Sequence, residues 1–304
     1  MTAFRPAVDA GDRPLAGMAW MVAGVGLLTL MDGTGKVLVT GGLPLVQVVW
    51  ARYAFNLLAL LALLRLRRRA LVPSRRLALQ LARGLAMVAA TAAMILSLRL
   101  LPMAETYAVG FVSPVLVALL AGPLLGERVD ARRWAAALGG FAGVLLVLRP
   151  GSGIFGVAAL APLAMAVFFA LYQLATRVLG RSDPPETTMF HSAWVGTAVT
   201  TPLLAPVWHV PTPAEWALMA LMGGLGLASH LAMIRAFALA PASRLSPLVY
   251  SQMIWAVAFG WLVFGDLPDP WTVVGAVVVA GSGLLLLGDP GGAGRARPRR
   301  RPGA

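Results

Sequence analysis

Residues 135–148 read AAALGGFAGVLLVL. No charged or hydrogen-bonding side chain interrupts the run, and alternate positions do not differ in polarity. A barrel strand with one face to lipid alternates in polarity over about 10 residues. A stretch that is apolar on every side suits a helix enclosed by lipid or by other apolar helices. The same texture recurs in runs close to the roughly 20 apolar residues a bilayer span requires. These runs are 18–40, 44–64, 78–99, 104–125, 132–149, 153–178, 188–207, 214–238, 245–264 and 271–288. The sequence therefore predicts an all-α integral membrane protein of ten transmembrane helices, with connections too short to hold a soluble domain.

Composition agrees. The 304 residues are 59% hydrophobic and 12% charged, with mean hydropathy +0.80, whereas a soluble domain carries about a quarter charged residues. The net charge of +13 raises nucleic acid as a partner. However, Lys36 is the only lysine, and the arginines gather between apolar runs. That is the pattern of membrane topology, so the lipid bilayer is the expected partner and no nucleic acid is. The chain has no cysteine, which excludes a disulfide framework, a thiolate zinc site and an iron–sulfur cluster. His191, His209 and His230 lack the spacing of metal ligands. No cofactor and no metal is expected.

Arginine placement orients the bundle. One set of alternate connections holds Arg65, Arg67, Arg68, Arg69, Arg75 and Arg76, then Arg128, Arg132 and Arg133, then Arg177 and Arg181, then Arg244. The opposite connections offer Arg99 and Arg149. Positive residues stay in the cytoplasm, so the chain is expected in the cytoplasmic (inner) membrane with both termini cytoplasmic. Residues 1–17 form a polar cytoplasmic segment without a small-residue cleavage pattern, which predicts an uncleaved first span. Residues 289–304 are rich in Gly, Pro and Arg, the composition of a disordered basic tail that anchors topology.

The chain also repeats itself. Shifting by 139 residues lays AMILSLRLLP (93–102) on AMIRAFALAP (232–241), Gly126 on Gly265, Glu127 on Asp266 and Asp130 on Asp269. With small gaps, MDGTGKVL (31–38) falls on YQLATRVL (172–179), pairing Asp32 with Gln173 and Lys36 with Arg177. Two halves follow, 18–150 and 151–288, of five helices each. An odd number of spans turns the second half upside down relative to the first. Inverted repeats place a binding site near the midplane at their interface and permit alternating access.

Two long segments resemble a known family. LRLLPMAETYAVGFVSPVLVALLAGPLLGERVDARRWAAALGGFAGVLLVLRPG (98–151) is similar to the end of a first EamA repeat of the drug/metabolite transporter superfamily. ALAPASRLSPLVYSQMIWAVAFGWLVFGDLPDPWTVVGAVVVAGSGLLLL (238–287) is similar to the end of a second. The opening MDGTGK and VQVVWARY resemble a branch containing S-adenosylmethionine and riboflavin carriers. The resemblance implies ten helices and a secondary transporter moving a small organic metabolite, by proton coupling or by exchange, without an ATP-binding domain. It leaves substrate, direction and assembly open, and a homodimer is compatible with it.

Candidate pathway residues follow from depth and polarity. Asp32 lies about eight residues from the outer end of its helix, roughly 12 Å deep, and Arg52 lies about as deep on the next. A carboxylate there is paired, solvated or protonated. Asp32 is thus either half of a structural Asp32–Arg52 pair or a substrate and coupling site. Lys36, one turn on, either snorkels to the interface near its helix end or joins that site. Arg83 and Arg235 lie within about two turns of the cytoplasmic face, where snorkelling accounts for them. His230 is either a packing histidine or a group titrating near neutral pH. Tyr107, Ser113, Tyr172, Gln173, Tyr250, Gln252 and Trp255 give the fourth, sixth and ninth spans a polar and aromatic lining. Ser113-Pro114 and Ser246-Pro247 are expected to break two of those helices. The alternative reading is an intramembrane enzyme for a lipid-linked or amphipathic substrate, using Glu127/Asp130 and Asp266/Asp269 as acid pairs. The inverted repeat would put those pairs on opposite faces, too far apart to cooperate.

Overall fold

A computed structural model describes residues 13–68, 70–71, 73–125, 131–149, 157–180, 182–240 and 245–285. Residues 1–12, the tail 289–304, the acid pair Glu127/Asp130 and Arg69, Arg128, Arg181 and Arg244 lie outside the described residues.

Every element among the described residues is helical: α1 (Pro14–Thr40), α2 (Leu45–Leu66), α3 (Leu77–Leu100), α4 (Met103–Gly110), α5 (Ser113–Leu125), α6 (Ala131–Leu148), α7 (Leu160–Leu179), α8 (Pro185–Thr200), α9 (Pro213–Leu239), α10 (Gln252–Phe259) and α11 (Pro270–Leu285). Prolines start many of them, because proline lacks the N–H that a first helical turn leaves unpaired. Pro14, Pro185, Pro213 and Pro270 each open a helix. A capping box, Thr212 with Glu215, closes the start of α9.

Six helical stretches among the described residues are long and apolar enough to cross a membrane: Leu15–Thr40, Leu45–Leu66, Leu77–Leu100, Met103–Ala121, Leu160–Leu179 and Pro213–Leu239. Trp134–Val147, Leu248–Phe264 and Pro270–Ser282 are shorter apolar helices. The run 188–207 becomes α8 followed by a 3-10 turn over Thr201–Leu204. The two serine–proline pairs do break their helices. The α4–α5 break falls at Phe111 and Val112, where the Ser113 hydroxyl donates to the Gly110 carbonyl at 2.7 Å. Ser246–Ser251 is wound as a 3-10 helix, and Gly260–Phe264 as a π turn that Gly265 ends at φ 73°.

The stretch 135–148 shows how such a sequence packs. Its small residues meet α11 at backbone distance: a Cβ on Gly143 would lie 2.9 Å from the Gly275 carbonyl oxygen, and one on Gly275 would lie 2.7 Å from that of Gly143. Its large residues, Leu138, Phe141 and Leu145, face outward and are exposed. Small residues let helices approach where lipid supplies no hydrophobic drive between them. Exposed apolar side chains are common elsewhere too, Ile254 at 70% and Leu262 at 75% among them. A water-facing surface does not carry apolar cover on this scale. The molecule is a multi-pass membrane protein.

At the centre, Met31 to Lys36 of α1 are all buried. Gly33 presses on the Phe259 ring and Gly35 on Ile95. Around this core α1 packs on α9, α3 on α7, α2 on α8 and α9, α3 on α8, and α6 on α11. Exchanging the aligned helices of the two halves, α1 for α7 and α3 for α9, turns the α1–α9 pair into the α7–α3 pair.

Candidate functional site

The mid-bundle chemistry starts at Asp32. With glycine on either side of Thr34, α1 can be enclosed by helices on all faces, which leaves Asp32 5% exposed. A carboxylate so placed must find donors within the protein. Arg52 Nη1 donates to Oδ1 at 2.9 Å and the Tyr107 hydroxyl donates to Oδ2 at 2.6 Å. Asp32 and Arg52 are thus paired, an arrangement that both readings of Asp32 allow.

Beside the pair is a cavity of about 60 Å³ between α1, α2, α3, α7, α8 and α9. Its wall is formed by Met31, Arg52, Tyr53, Asn56, Arg83, Met87, Tyr172, Met189, Ser192, Ala193, Gly226 and His230. His230 Nδ1 lies 2.7 Å from the Gly226 carbonyl, so Nδ1 carries a proton and Nε2 is left for other partners. Arg83 is 4% exposed and does not snorkel. Its Nε donates to Thr176 Oγ1 at 2.6 Å, and its Nη1 to the Thr188 carbonyl at 3.0 Å and Ser192 Oγ at 2.5 Å. Its Nη2 donates to the Tyr172 hydroxyl at 2.8 Å, with the guanidinium 4.4 Å from the Tyr172 ring centre. The expectation of snorkelling fails here: the side chain is buried and hydroxyls on α7 and α8 hold it inside the bundle. Arg235 is exposed.

The two ends of the bundle are tied differently. At the end where α1 finishes, Lys36 Nζ pairs with Asp266 at 2.8 Å, reaches the Leu101 carbonyl at 3.4 Å and lies 4.5 Å from the Phe264 ring centre. Arg149 pairs with Asp269 close by, and the Gln47 amide exchanges hydrogen bonds with the backbone of His209 at 2.8 and 3.0 Å. At the opposite end, Asp183 accepts from Ser74 and, at 2.7 Å, from Gln80. Burial pushes the Asp183 carboxyl up, but the hydrogen bonds from Ser74, Gln80 and Ser182, helped by His191, outweigh it and hold the pKa below the ordinary aspartate value.

The structure thus brings together Asp32, Arg52 and Tyr107, and lines the adjoining cavity with Arg52, Tyr172 and His230. Lys36 is engaged elsewhere, at the end of the bundle. Tyr250 meets Phe111 edge-on at 5.2 Å, and Phe111 in turn meets Tyr107 at 6.5 Å. Ser113 spends its hydroxyl on the α4–α5 break, Gln252 is buried, and Gln173 is half-buried beside Tyr172. Trp255 does not line the cavity: it is 42% exposed, and its indole packs on Gly26 at the surface. Asp266 and Asp269 are ion-paired partners of Lys36 and Arg149.

The model of the EamA-like transporter family matches the chain twice, over residues 15–149 and 155–288. The chain belongs to the EamA-like transporter family. This EamA-like transporter is 28% identical to a riboflavin transporter of Vibrio cholerae over 270 residues, 88% of this chain and 91% of that one. It is 24% identical to an S-adenosylmethionine uptake transporter of Rickettsia prowazekii over 279 residues, 92% of this chain and 95% of that one. A pseudopaline exporter of Pseudomonas aeruginosa is 28% identical over 188 residues, 61% of this chain and 66% of that one. A crystal structure superposes with TM-score 0.60 at 20% identity, over 90% of this chain and 95% of that one, which shows the shared fold. These are names of transporters and not of enzymes, and the intramembrane-enzyme alternative is set aside on that ground.

The residues of this EamA-like transporter that sequence reading misses share one feature. Arg83, Asn56 and Ser192 at the cavity, Asp266 as the partner of Lys36, and buried Glu105 beside Lys36, Arg149, Asp266 and Asp269 take their meaning from helices distant in sequence. For Glu105 a signal was present, in its place within the PMAE segment that carries the family resemblance.

Proposed function

We propose that this EamA-like transporter is a secondary carrier that moves a small organic metabolite across the cytoplasmic membrane by alternating access, coupled to protons or by exchange. In this reading ten transmembrane helices form two inverted five-helix halves, residues 18–150 and 151–288, and both termini are cytoplasmic. The cavity wall and the Asp32–Arg52–Tyr107 group are the substrate pathway, and Asp32 is the coupling candidate.

The observation that carries the reading is the cavity, bordered by helices of both halves and joined to a buried, hydrogen-bonded charge pair. Its volume of about 60 Å³ admits several water molecules, whereas a metabolite site spans about 300–1,000 Å³. The surrounding helices must part for a solute to enter, which is what alternating access requires. The double family match and the exchange of the α1–α9 and α3–α7 pairs support the repeat. Arginine placement supports the orientation.

The test is a thermal-shift screen of purified protein against amino acids, nucleosides, riboflavin and S-adenosylmethionine, followed by counterflow in proteoliposomes. A solute that stabilises the protein is expected to exchange unaltered across the membrane. Stabilising solutes that never cross, or that emerge chemically changed, would overturn the reading.

A further inference from the structure

The buried and part-buried cations among the described residues are not all treated alike. Lys36, Arg52 and Arg149 are each matched to a carboxylate, those of Asp266, Asp32 and Asp269. Arg83 is as deeply buried as any of them, at 4% exposure, yet each of its four hydrogen bonds goes to a neutral oxygen. Taking a charge out of water costs several kcal/mol even after relaxation, and buried charges are as a rule paired. The three hydroxyls and one carbonyl hold the guanidinium in place without cancelling its charge.

The same wall of the cavity carries Arg52, which gives Nη1 to Asp32 and keeps its other donors. Arg83 uses four of its five N–H groups and has one left on Nη2. Among the described residues, two guanidiniums therefore border one cavity while a single carboxylate, Asp32, offsets them, and the wall is left net positive. Each oxygen of Asp32 already accepts one hydrogen bond, from Arg52 or Tyr107.

We propose that Arg83, with Arg52, makes this cavity an oxyanion site, and that the solute entering it carries a carboxylate or phosphate group. The inference rests on the carrier reading for the word solute, but not for the binding site. The remaining N–H of Arg83 and the free donors of Arg52 can each take one oxygen of such a group, since carboxylate and phosphate both present paired oxygens.

The experiment measures thermal unfolding of the purified protein in lipid-free detergent at constant ionic strength. Acetate is compared with its neutral isostere acetamide, and inorganic phosphate forms a third arm. Acetate, phosphate or both are expected to raise the melting temperature while acetamide does not, and whichever anion acts names the preferred group. Arg83→Gln should abolish that shift. Arg83→Lys, which keeps the charge and loses the planar donor set that fixes it against α7 and α8, should need about tenfold more anion, roughly 1.4 kcal/mol of affinity. Equal stabilisation by acetamide, or an undiminished anion shift in Arg83→Gln, overturns the site. Should Arg83→Gln not fold, Arg83→Lys decides, and an unchanged anion dependence there overturns it equally. The binding assay involves no transport, so anion binding through Arg83 in a protein that exchanges nothing upholds the oxyanion site and sinks the carrier reading. A carrier that exchanges a solute and its carboxamide analogue equally well does the reverse.

Discussion

Arg52 on α2 donates to Asp32 on α1 across 2.9 Å, with side-chain exposures of 11% and 6%. Two helices are joined by a charge pair whose carboxylate is almost wholly withdrawn from bulk solvent. Breaking such a pair by removing one partner costs about 3–5 kcal/mol, because the survivor stays buried and charged. Asp32→Asn is therefore expected to lower the melting temperature, and Asp32→Asn with Arg52→Gln to recover most of the loss. Under the coupling role proposed for Asp32, the Asp32→Asn protein that folds and inserts keeps counterflow exchange better than gradient-driven uptake. Normal uptake by that variant would leave the pair a purely structural role.

Gly33 makes a prediction independent of charge. A Cβ at this position would lie 2.2 Å from Cε1 of Phe259. Gly33→Ala forces the ring of α10 away from α1, and overpacking of this kind costs about 1–3 kcal/mol. Adding Phe259→Leu removes the colliding ring and should restore part of the stability, a coupling that a double-mutant cycle on unfolding midpoints reads directly. Additive losses would show that α1 and α10 do not press together here.

Much of this was legible in the sequence, and the reason is the solvent. Lipid offers backbone groups no hydrogen bonds, so spans must be helical and their lengths are bounded. The apolar runs therefore mark the first three helices and α6 to within a few residues, while α7 begins at Leu160 rather than 153 and α8 ends at Thr200 rather than 207; Ser113-Pro114 marks the break between α4 and α5. The partners of the charges were less legible. Depth alone cannot distinguish an arginine that snorkels from one that turns inward. Arg83 turns inward onto Thr176, Thr188 and Ser192, on helices of the other half, which no local reading of its own helix could foresee. In MDGTGK the charges draw the eye, while Gly33 and Gly35 determine whether α1 can be enclosed at all. Trp255 reads as a lining residue by its span, but its position on α10 turns the indole outward over Gly26.

Asp183 supplies a pH dependence. It lies between α7 and α8 and takes hydrogen bonds from Ser74 and Gln80 across the gap to α3. Its folded pKa lies below the ordinary value, so the folded chain binds this proton less tightly than the unfolded chain does. The stability it contributes is fully present above the unfolded aspartate pKa of about 3.9 and is lost as pH falls through the lower, folded value. Asp183→Asn should therefore unfold more readily at pH 7, by roughly 1–3 kcal/mol for charged hydrogen bonds removed, and show a flatter decline in acid. Unfolding midpoints of both proteins between pH 7 and pH 3 test this, and parallel curves would remove Asp183 from the account.

Lys36 and Asp266 make the strongest claim on mechanism. The pair joins α1 of the first half to the segment before α11 in the second, at 2.8 Å, and the Leu101 carbonyl and the Phe264 ring hold the ammonium in place. Arg149 and Asp269 form a second tie beside it. If this is the outer mouth, as arginine placement implies, opening it to the outside requires the Lys36–Asp266 contact to part. Asp266→Asn should then shift the population toward the outward-open state. The chain has no native cysteine, so single reporters need no background removed. In the Asp266→Asn protein, Leu101→Cys at the mouth should label several-fold faster with an impermeant maleimide. Met189→Cys on the cavity wall should label more slowly from the cytoplasmic side. The charge swap Lys36→Asp with Asp266→Lys should bring both rates back toward those of the parent. Opposed changes at the two positions are the signature of one gate opening as the other closes. Rates that rise together would mean that the pair merely holds the bundle compact, and unchanged rates would mean that the mouth is closed by something else.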